Sequence, residues 1–195
     1  MTDTFKTLCK FGNTKLPKTT MIFNMGSSLD CPSKELGLCL VANDCYARPP
    51  EKQYPDCLPY RDRQADYWLN TDTDTIINEI DTMLKRKRNK TILFRFNEAG
   101  DFYSQECIEK LSKVADFLSS NYGIITYGYS SRSDLDFSHA SFFCKSSGYD
   151  NGNNGKTIVV NKGEAIPAGF VICPGSCFTC SLCVTGQDIA FVKHG

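Results

Sequence analysis

Three observations predict an α/β fold, either a small parallel sheet or a truncated partial (βα) barrel with cysteine-rich loops. The run Thr91-Ile92-Leu93-Phe94-Arg95-Phe96 has the length and composition of a buried strand. Cys107, Ile108, Leu111, Val114, Ala115 and Leu118 then recur at the spacing of one helix face. Residues 123–129, Gly-Ile-Ile-Thr-Tyr-Gly-Tyr, return to strand character. Strand, long helix and strand at this spacing make a βαβ unit, which implies a parallel sheet and a right-handed crossover.

The remaining elements follow in order. Met21-Ile22-Phe23 predicts a strand near 20–24 that opens into Asn24-Met25-Gly26-Ser27-Ser28. A cysteine-bearing segment comes next, then a stretch with Pro49, Pro50, Pro55 and Pro59. Pro59 suits the first turn of a helix over 60–69. Ile76, Ile77, Ile80, Met83 and Leu84 give one apolar face to a helix over 73–88. It closes on Lys85-Arg86-Lys87-Arg88, where cations offset the helix dipole. Ser104 is the candidate N-cap of a helix over 104–120, with Glu106 in its first turn. Beyond Ser130 the pattern weakens: 140–144, 157–160 and 169–173 read as short strands and 148–155 as a loop. The whole of 1–195 reads as one domain, with a cysteine-rich C-terminal segment over 173–195.

Composition excludes several functions. The chain has 195 residues and is 41% hydrophobic, enough to bury a core without covalent staples. Its 22 basic and 22 acidic residues give no net charge, against a nucleic-acid scaffold built on bulk positive charge. No apolar run reaches the length of a membrane span, and the first residues lack a signal peptide's apolar region. The expected setting is cytoplasmic and reducing, where clustered cysteines serve as metal ligands more often than as disulfides. An odd count of 11 cysteines also leaves any all-disulfide scheme one thiol over. Cys107 and Cys144 fall on apolar faces and read as small buried hydrophobes. His139 and His194 stand alone and read as non-ligands.

The chemical signal lies in two cysteine groups. Cys173-Pro-Gly-Ser-Cys177-Phe-Thr-Cys180-Ser-Leu-Cys183 places four thiols in one loop. This is tighter than paired zinc knuckles and resembles the dense spacing around a four-iron cluster, with Pro174 beside a ligand. Zinc remains the alternative. Cys31, Cys39 and Cys45 form the second group. Three thiolates on a [4Fe-4S] cluster would leave one iron open to a ligand, whereas Cys57 as a fourth would close it. Asn97, Glu98, Gly100 and Asp101 emerge at a strand's C-terminal end, where parallel folds carry chemistry. Glu98 and Asp101 are the candidate catalytic acids. Asn97 and Gly100 are candidate cofactor contacts, since glycine lets the backbone approach a ligand closely. Arg95 alternates with Leu93 and would point into a barrel interior, with Glu98 or Asp101 as candidate partners. Residues 127–134 end the next strand as a second polar segment.

Taken together, Cys-Pro at Cys31, Cys-Tyr-Ala at Cys45, the run Arg-Phe-Asn-Glu-Ala-Gly-Asp-Phe at 95–102, the four-cysteine loop and the closing Lys193-His194-Gly195 resemble the phage-encoded gene product 88 family. The resemblance implies a phage origin and the host cytoplasm as location. The order of strand, three-cysteine loop, helix and acidic strand end is also similar to radical SAM enzymes. That likeness implies S-adenosylmethionine held near Asn97–Asp101, although the cysteine spacing and the number of βα units depart from that family. Two functions are therefore expected: an iron–sulfur protein with radical SAM-like or redox activity served by an electron donor, or a non-enzymatic metal-stabilised accessory protein that binds a phage or host protein.

Overall fold

The computed structural model describes residues 4–149 and 154–193. Its strands are β1 (Lys10–Phe11), β2 (Thr20–Phe23), β3 (Leu93–Phe96), β4 (Ile125–Ser130), β5 (Phe143–Ser147), β6 (Lys156–Val160), β7 (Phe170–Ile172) and β8 (Asp188–Val192). They form one sheet in the order β1-β2-β3-β4-β5-β6-β8-β7. Among the described residues only the β1–β2 pair is antiparallel. The expected α/β class with a parallel sheet is what forms, and the sheet stays open.

From β2 to β4 the strand order never reverses, and the long helices that connect these strands pack on one face of the sheet. That face holds the core. Phe23, Phe94 and Phe96 meet Trp68 of α4 (Cys57–Asn70), Ile76 and Ile80 of α5 (Thr73–Arg86), and Leu111 and Val114 of α6 (Gln105–Tyr122). The Trp68 ring lies 4.6 Å from Phe96 and 5.8 Å from Phe23. α5 starts where the Asp72 side chain accepts the Thr75 amide, and α6 ends on Gly123, whose φ of 64° suits glycine.

The other face is concave. Tyr129 on β4 and Phe191 on β8 are separated by β5 and β6, a step of about 14 Å along a flat sheet. Their rings are nevertheless 5.8 Å apart. Register puts Ile22, Arg95 and Tyr127 on this inner face, with Tyr129 beside Lys145.

Several expected elements shift. The strand expected at 140–144 runs Phe143–Ser147, because Phe142 is already spent on the core against Phe102. Ser104 sits at the N-cap position of α6, but its hydroxyl donates to Cys107 Sγ at 3.7 Å instead of accepting from a backbone amide of the first turn. Three short helices, α1 (Thr4–Leu8), α2 (Pro32–Glu35) and α3 (Arg48–Gln53), and the strands β1 and β8 are not marked by the sequence pattern. Cys107 and Cys144 are buried, as expected. His194 and part of the 148–155 loop lie outside the described residues. No described helix is long and apolar enough to cross a membrane.

Candidate metal centre

The turns after β2 and β3 are built against each other. Asn97 Oδ1 accepts the Met25 amide at 2.8 Å, and Asn24 Oδ1 accepts the Ala99 amide at 3.0 Å. Asn97 adopts a φ of 55°, a left-handed conformation that asparagine tolerates better than most residues. Gly100, at φ 75°, lies so close to Gly26 that a Cβ would sit 2.9 Å from the Gly26 backbone. Its closeness thus serves a neighbouring turn of this chain.

Both candidate acids are engaged. The Glu98 carboxylate pairs with Lys10 at 2.6 Å and accepts from Asn13 at 2.5 Å, while its backbone oxygen accepts the Tyr46 hydroxyl at 2.6 Å. Asp101 is buried. It accepts the Ser130 hydroxyl at 2.7 Å, the Ser131 amide at 2.8 Å and the Ser33 hydroxyl. Burial raises its pKa, and those hydrogen bonds pull the other way. Neither acid pairs with Arg95 among the described ion pairs.

The segment bearing Cys31, Cys39 and Cys45 lies across the C-terminal edge of the sheet. Cys31 Sγ is 3.2 Å from Ser33 Oγ. Burial raises the Cys31 pKa, with Asp101 adding to the rise. Leu40 packs on Gly148, the residue after β5, and Asp44 pairs with Lys193 at 2.8 Å, just beyond β8. This group and the Asn97–Asp101 turn therefore meet at one edge, as their positions after parallel strands predict. Cys57 opens α4.

The loop bearing Cys173, Cys177, Cys180 and Cys183 folds back over the concave face. The Cys177 amide donates to Lys15 O at 3.0 Å, which links the β7 side of the sheet to the β1–β2 turn. The Tyr129 hydroxyl donates to Cys183 Sγ at 2.6 Å. Burial raises the Cys177 pKa first, and the nearby Cys183, Cys173 and Cys180 raise it further. Burial likewise raises Cys183, opposed by Tyr129 and Arg95. Gly175, at φ 77°, has open space around it.

Two cations lie beneath this loop. The Arg95 guanidinium stacks on Tyr129 at 4.3 Å and Tyr127 at 5.4 Å and hydrogen-bonds the Tyr127 side chain, while its Nε has no hydrogen-bond partner among the described residues. Burial works against its charge, but Tyr129, Tyr127, Tyr46 and Cys183 outweigh that and raise its pKa. Tyr46, which follows Cys45, and Cys183 both act on the Arg95 charge. Lys145 is fully buried and donates to Asn154 O, Thr185 O and Gln187 O at 2.6–2.7 Å. Lys145 and Tyr129 carried no individual signal in the sequence. A lone lysine inside Phe-Phe-Cys-Lys-Ser-Ser, at an inward strand position, was the available clue. Among the described residues, no three His, Cys, Asp or Glu side chains converge in the geometry of a metal site.

A family model described as Gene product 88 matches residues 6–136. That range includes Cys31, Cys39, Cys45 and the Asn97–Asp101 turn, and it stops before the four-cysteine loop. No curated protein and no solved structure matches the chain.

Proposed function

For a chain that belongs to the gene product 88 family, we propose a phage protein that binds an iron–sulfur cluster through Cys173, Cys177, Cys180 and Cys183. One observation carries the reading: Cys183 accepts a hydrogen bond from Tyr129 on the concave face, with Arg95 and Lys145 near it and Cys173, Cys177 and Cys180 close enough to feel its charge. Free thiols carry no charge to pair with the Arg95 guanidinium, which has no carboxylate partner among the described ion pairs. A tetrathiolate metal complex carries net negative charge and would offset it. The donor set suits soft metals, and the dense spacing favours a four-iron cluster over zinc. When bound, such a cluster supplies one-electron transfer or a structural cross-link.

Cys31, Cys39 and Cys45 are the candidate ligands of a second cluster at the sheet edge. Asn97 and Gly100 are occupied in holding the adjacent turns, and Glu98 and Asp101 in structural bonds. We therefore leave S-adenosylmethionine out of the proposal. The same engagement favours a second reading, an accessory protein stabilised by its metal, in which binding contributes directly to folding free energy.

Anaerobic purification with iron, zinc and sulfide analysis tests the proposal. Iron with matching sulfide, lost in Cys177→Ala and Cys180→Ala, supports it. Colourless protein with bound zinc replaces the cluster by zinc, and protein free of both metals overturns metal binding at this loop.

A further inference from the structure

We propose that the loop between α5 and β3, residues 87–92, and the pocket it lines form a binding site for the phosphate backbone of a nucleic acid. The site lies at the N-terminal edge of the sheet, opposite the turns that carry Cys31 and Asn97. It therefore stands or falls independently of the cluster reading.

The loop carries more charge than its helix needs. Residues 85–90 run Lys-Arg-Lys-Arg-Asn-Lys. Cations offset a helix dipole only within its last turn. α5 ends at Arg86, so Lys85 and Arg86 serve it, and Lys85 also pairs with Asp81 at 2.6 Å. Arg88 and Lys90 lie past the helix, are exposed, and make no ion pair among the described residues. The β1–β2 turn adds a further cation. Thr19 O accepts the Ile92 amide at 2.9 Å, which brings the exposed Lys18 to the same edge. In a chain with no net charge, this cluster gives a polyanion a local place to bind.

The pocket adds a specific donor. It has a volume of about 190 Å³, and its lining includes Lys87, Arg88, Asn89, Lys90 and Thr91. Thr91 is only 6% exposed, and its hydroxyl has no hydrogen-bond partner among the described residues. A buried hydroxyl left unpaired costs about 1–3 kcal/mol, and an anionic oxygen in the pocket would accept it. The Lys87 ammonium lies 4.2 Å from the centre of the Phe11 ring. Burial lowers its pKa, a cost that a neighbouring anion offsets. Asp81 reaches Tyr122 of the pocket lining, but its charge is met by Lys85. A guanidinium, two ammonium groups, an amide and a hydroxyl are the donors that hold phosphate oxygens. Arg86 and Lys18 lie outside the pocket lining, so the positive charge extends beyond one phosphate. That extension favours a chain of phosphates over a free one. Contacts of this kind hold the backbone and do not read the bases.

The test is fluorescence anisotropy of a labelled DNA duplex with the whole chain, in the metal state in which it is purified. Wild type is expected to bind, and to lose roughly 100-fold in affinity between about 50 and 200 mM salt, the slope for about four neutralised phosphates. Arg88→Ala/Lys90→Ala should reduce that slope by about two. Lys52→Ala/Lys162→Ala makes the same change in net charge on exposed residues elsewhere, and should leave the slope unchanged. Thr91→Val should weaken binding roughly 10-fold at an unchanged slope, since it removes a hydrogen bond to a charged oxygen and no cation. It should melt no lower than wild type, because the lost hydroxyl has no partner in the free chain. Wild type that does not bind overturns the proposal. Equal losses in the two double variants also overturn it, since they mean bulk attraction alone. Binding that Thr91→Val leaves untouched removes the pocket from the site and overturns it as stated. Competition by poly-glutamate as strong as by unlabelled duplex replaces the nucleic acid with an acidic protein. Inorganic phosphate that raises the melting of wild type, when duplex does not bind, replaces it with a free phosphate. None of these outcomes touches iron, sulfide or zinc content, which alone decide the cluster reading.

Discussion

Glu51 and Arg61 form a buried ion pair that ties together the two ends of the N-terminal cysteine segment. Glu51 accepts the Ser28 amide at 2.8 Å, just before Cys31, and the Ser28 hydroxyl as well. Arg61 donates to Ala47 O at 3.0 Å, just after Cys45. The loop that carries three thiols is thus closed at its base by one carboxylate and one guanidinium.

Glu51→Ala should be strongly destabilising. It leaves Arg61 buried without its partner and the Ser28 amide without an acceptor, a loss of about 3–5 kcal/mol. Chemical denaturation reads it directly. A loss under about 1 kcal/mol, the range of exposed pairs, would mean that the pair is solvated in solution.

Gly100→Ala should also destabilise, by about 2 kcal/mol or more. The left-handed backbone alone costs a side chain about 1–2 kcal/mol, and the added Cβ would meet Gly26 backbone at 2.9 Å. Unchanged stability would show that the two turns do not touch.

Asn97→Ala removes the acceptor of the Met25 amide and places alanine at φ 55°. The expected loss is about 2–4 kcal/mol, from an unpaired buried amide and the strained conformation. Asn97→Gly relieves the strain and keeps the missing bond, so it should recover part of the loss. Equal stability of the two variants would remove the backbone term.

Asp81 offers a pH test remote from the thiols. Hydrogen bonds from Lys85 and Tyr122 hold its carboxyl below the usual carboxylate range. A depressed folded-state pKa contributes stability above the ordinary value and loses it as pH falls through the depressed one. The stability lost on acidification should therefore be smaller in Asp81→Asn than in wild type. Parallel acid profiles for the two would refute the interaction.

The helix-backed half of the molecule was legible because its signals are local. Ile76, Ile80 and Met83 recur on one face, and residues 91–96 and 123–129 are apolar enough to be central strands. The fold class and the meeting of the two polar edges followed from that periodicity. The concave side was not legible, because its determinants are contacts between distant residues. Lys145 is tolerated in a central strand only because carbonyls of residues 154, 185 and 187 receive its protons. Ser146, also buried, donates to Tyr149 O, so the strand extends through polar residues beyond the expected end at Cys144. Glu98 and Asp101 looked catalytic for a similar reason: an acid at a strand end gives no sign that Lys10 or Ser131 will occupy it.

The strand order has a consequence for how the chain is made. β7, which leads directly into Cys173, pairs in the sheet through β8 alone, and β8 comes after the four-cysteine loop. During synthesis the four thiols therefore leave the ribosome before the strand that will seat them. β8 then has to slip between β6 and β7. Until it does, the loop hangs from an unpaired strand, open to metal delivery and to oxidation alike. A chain stopped before Asp188 would carry all eleven cysteines but lack the strand that turns the loop toward Arg95.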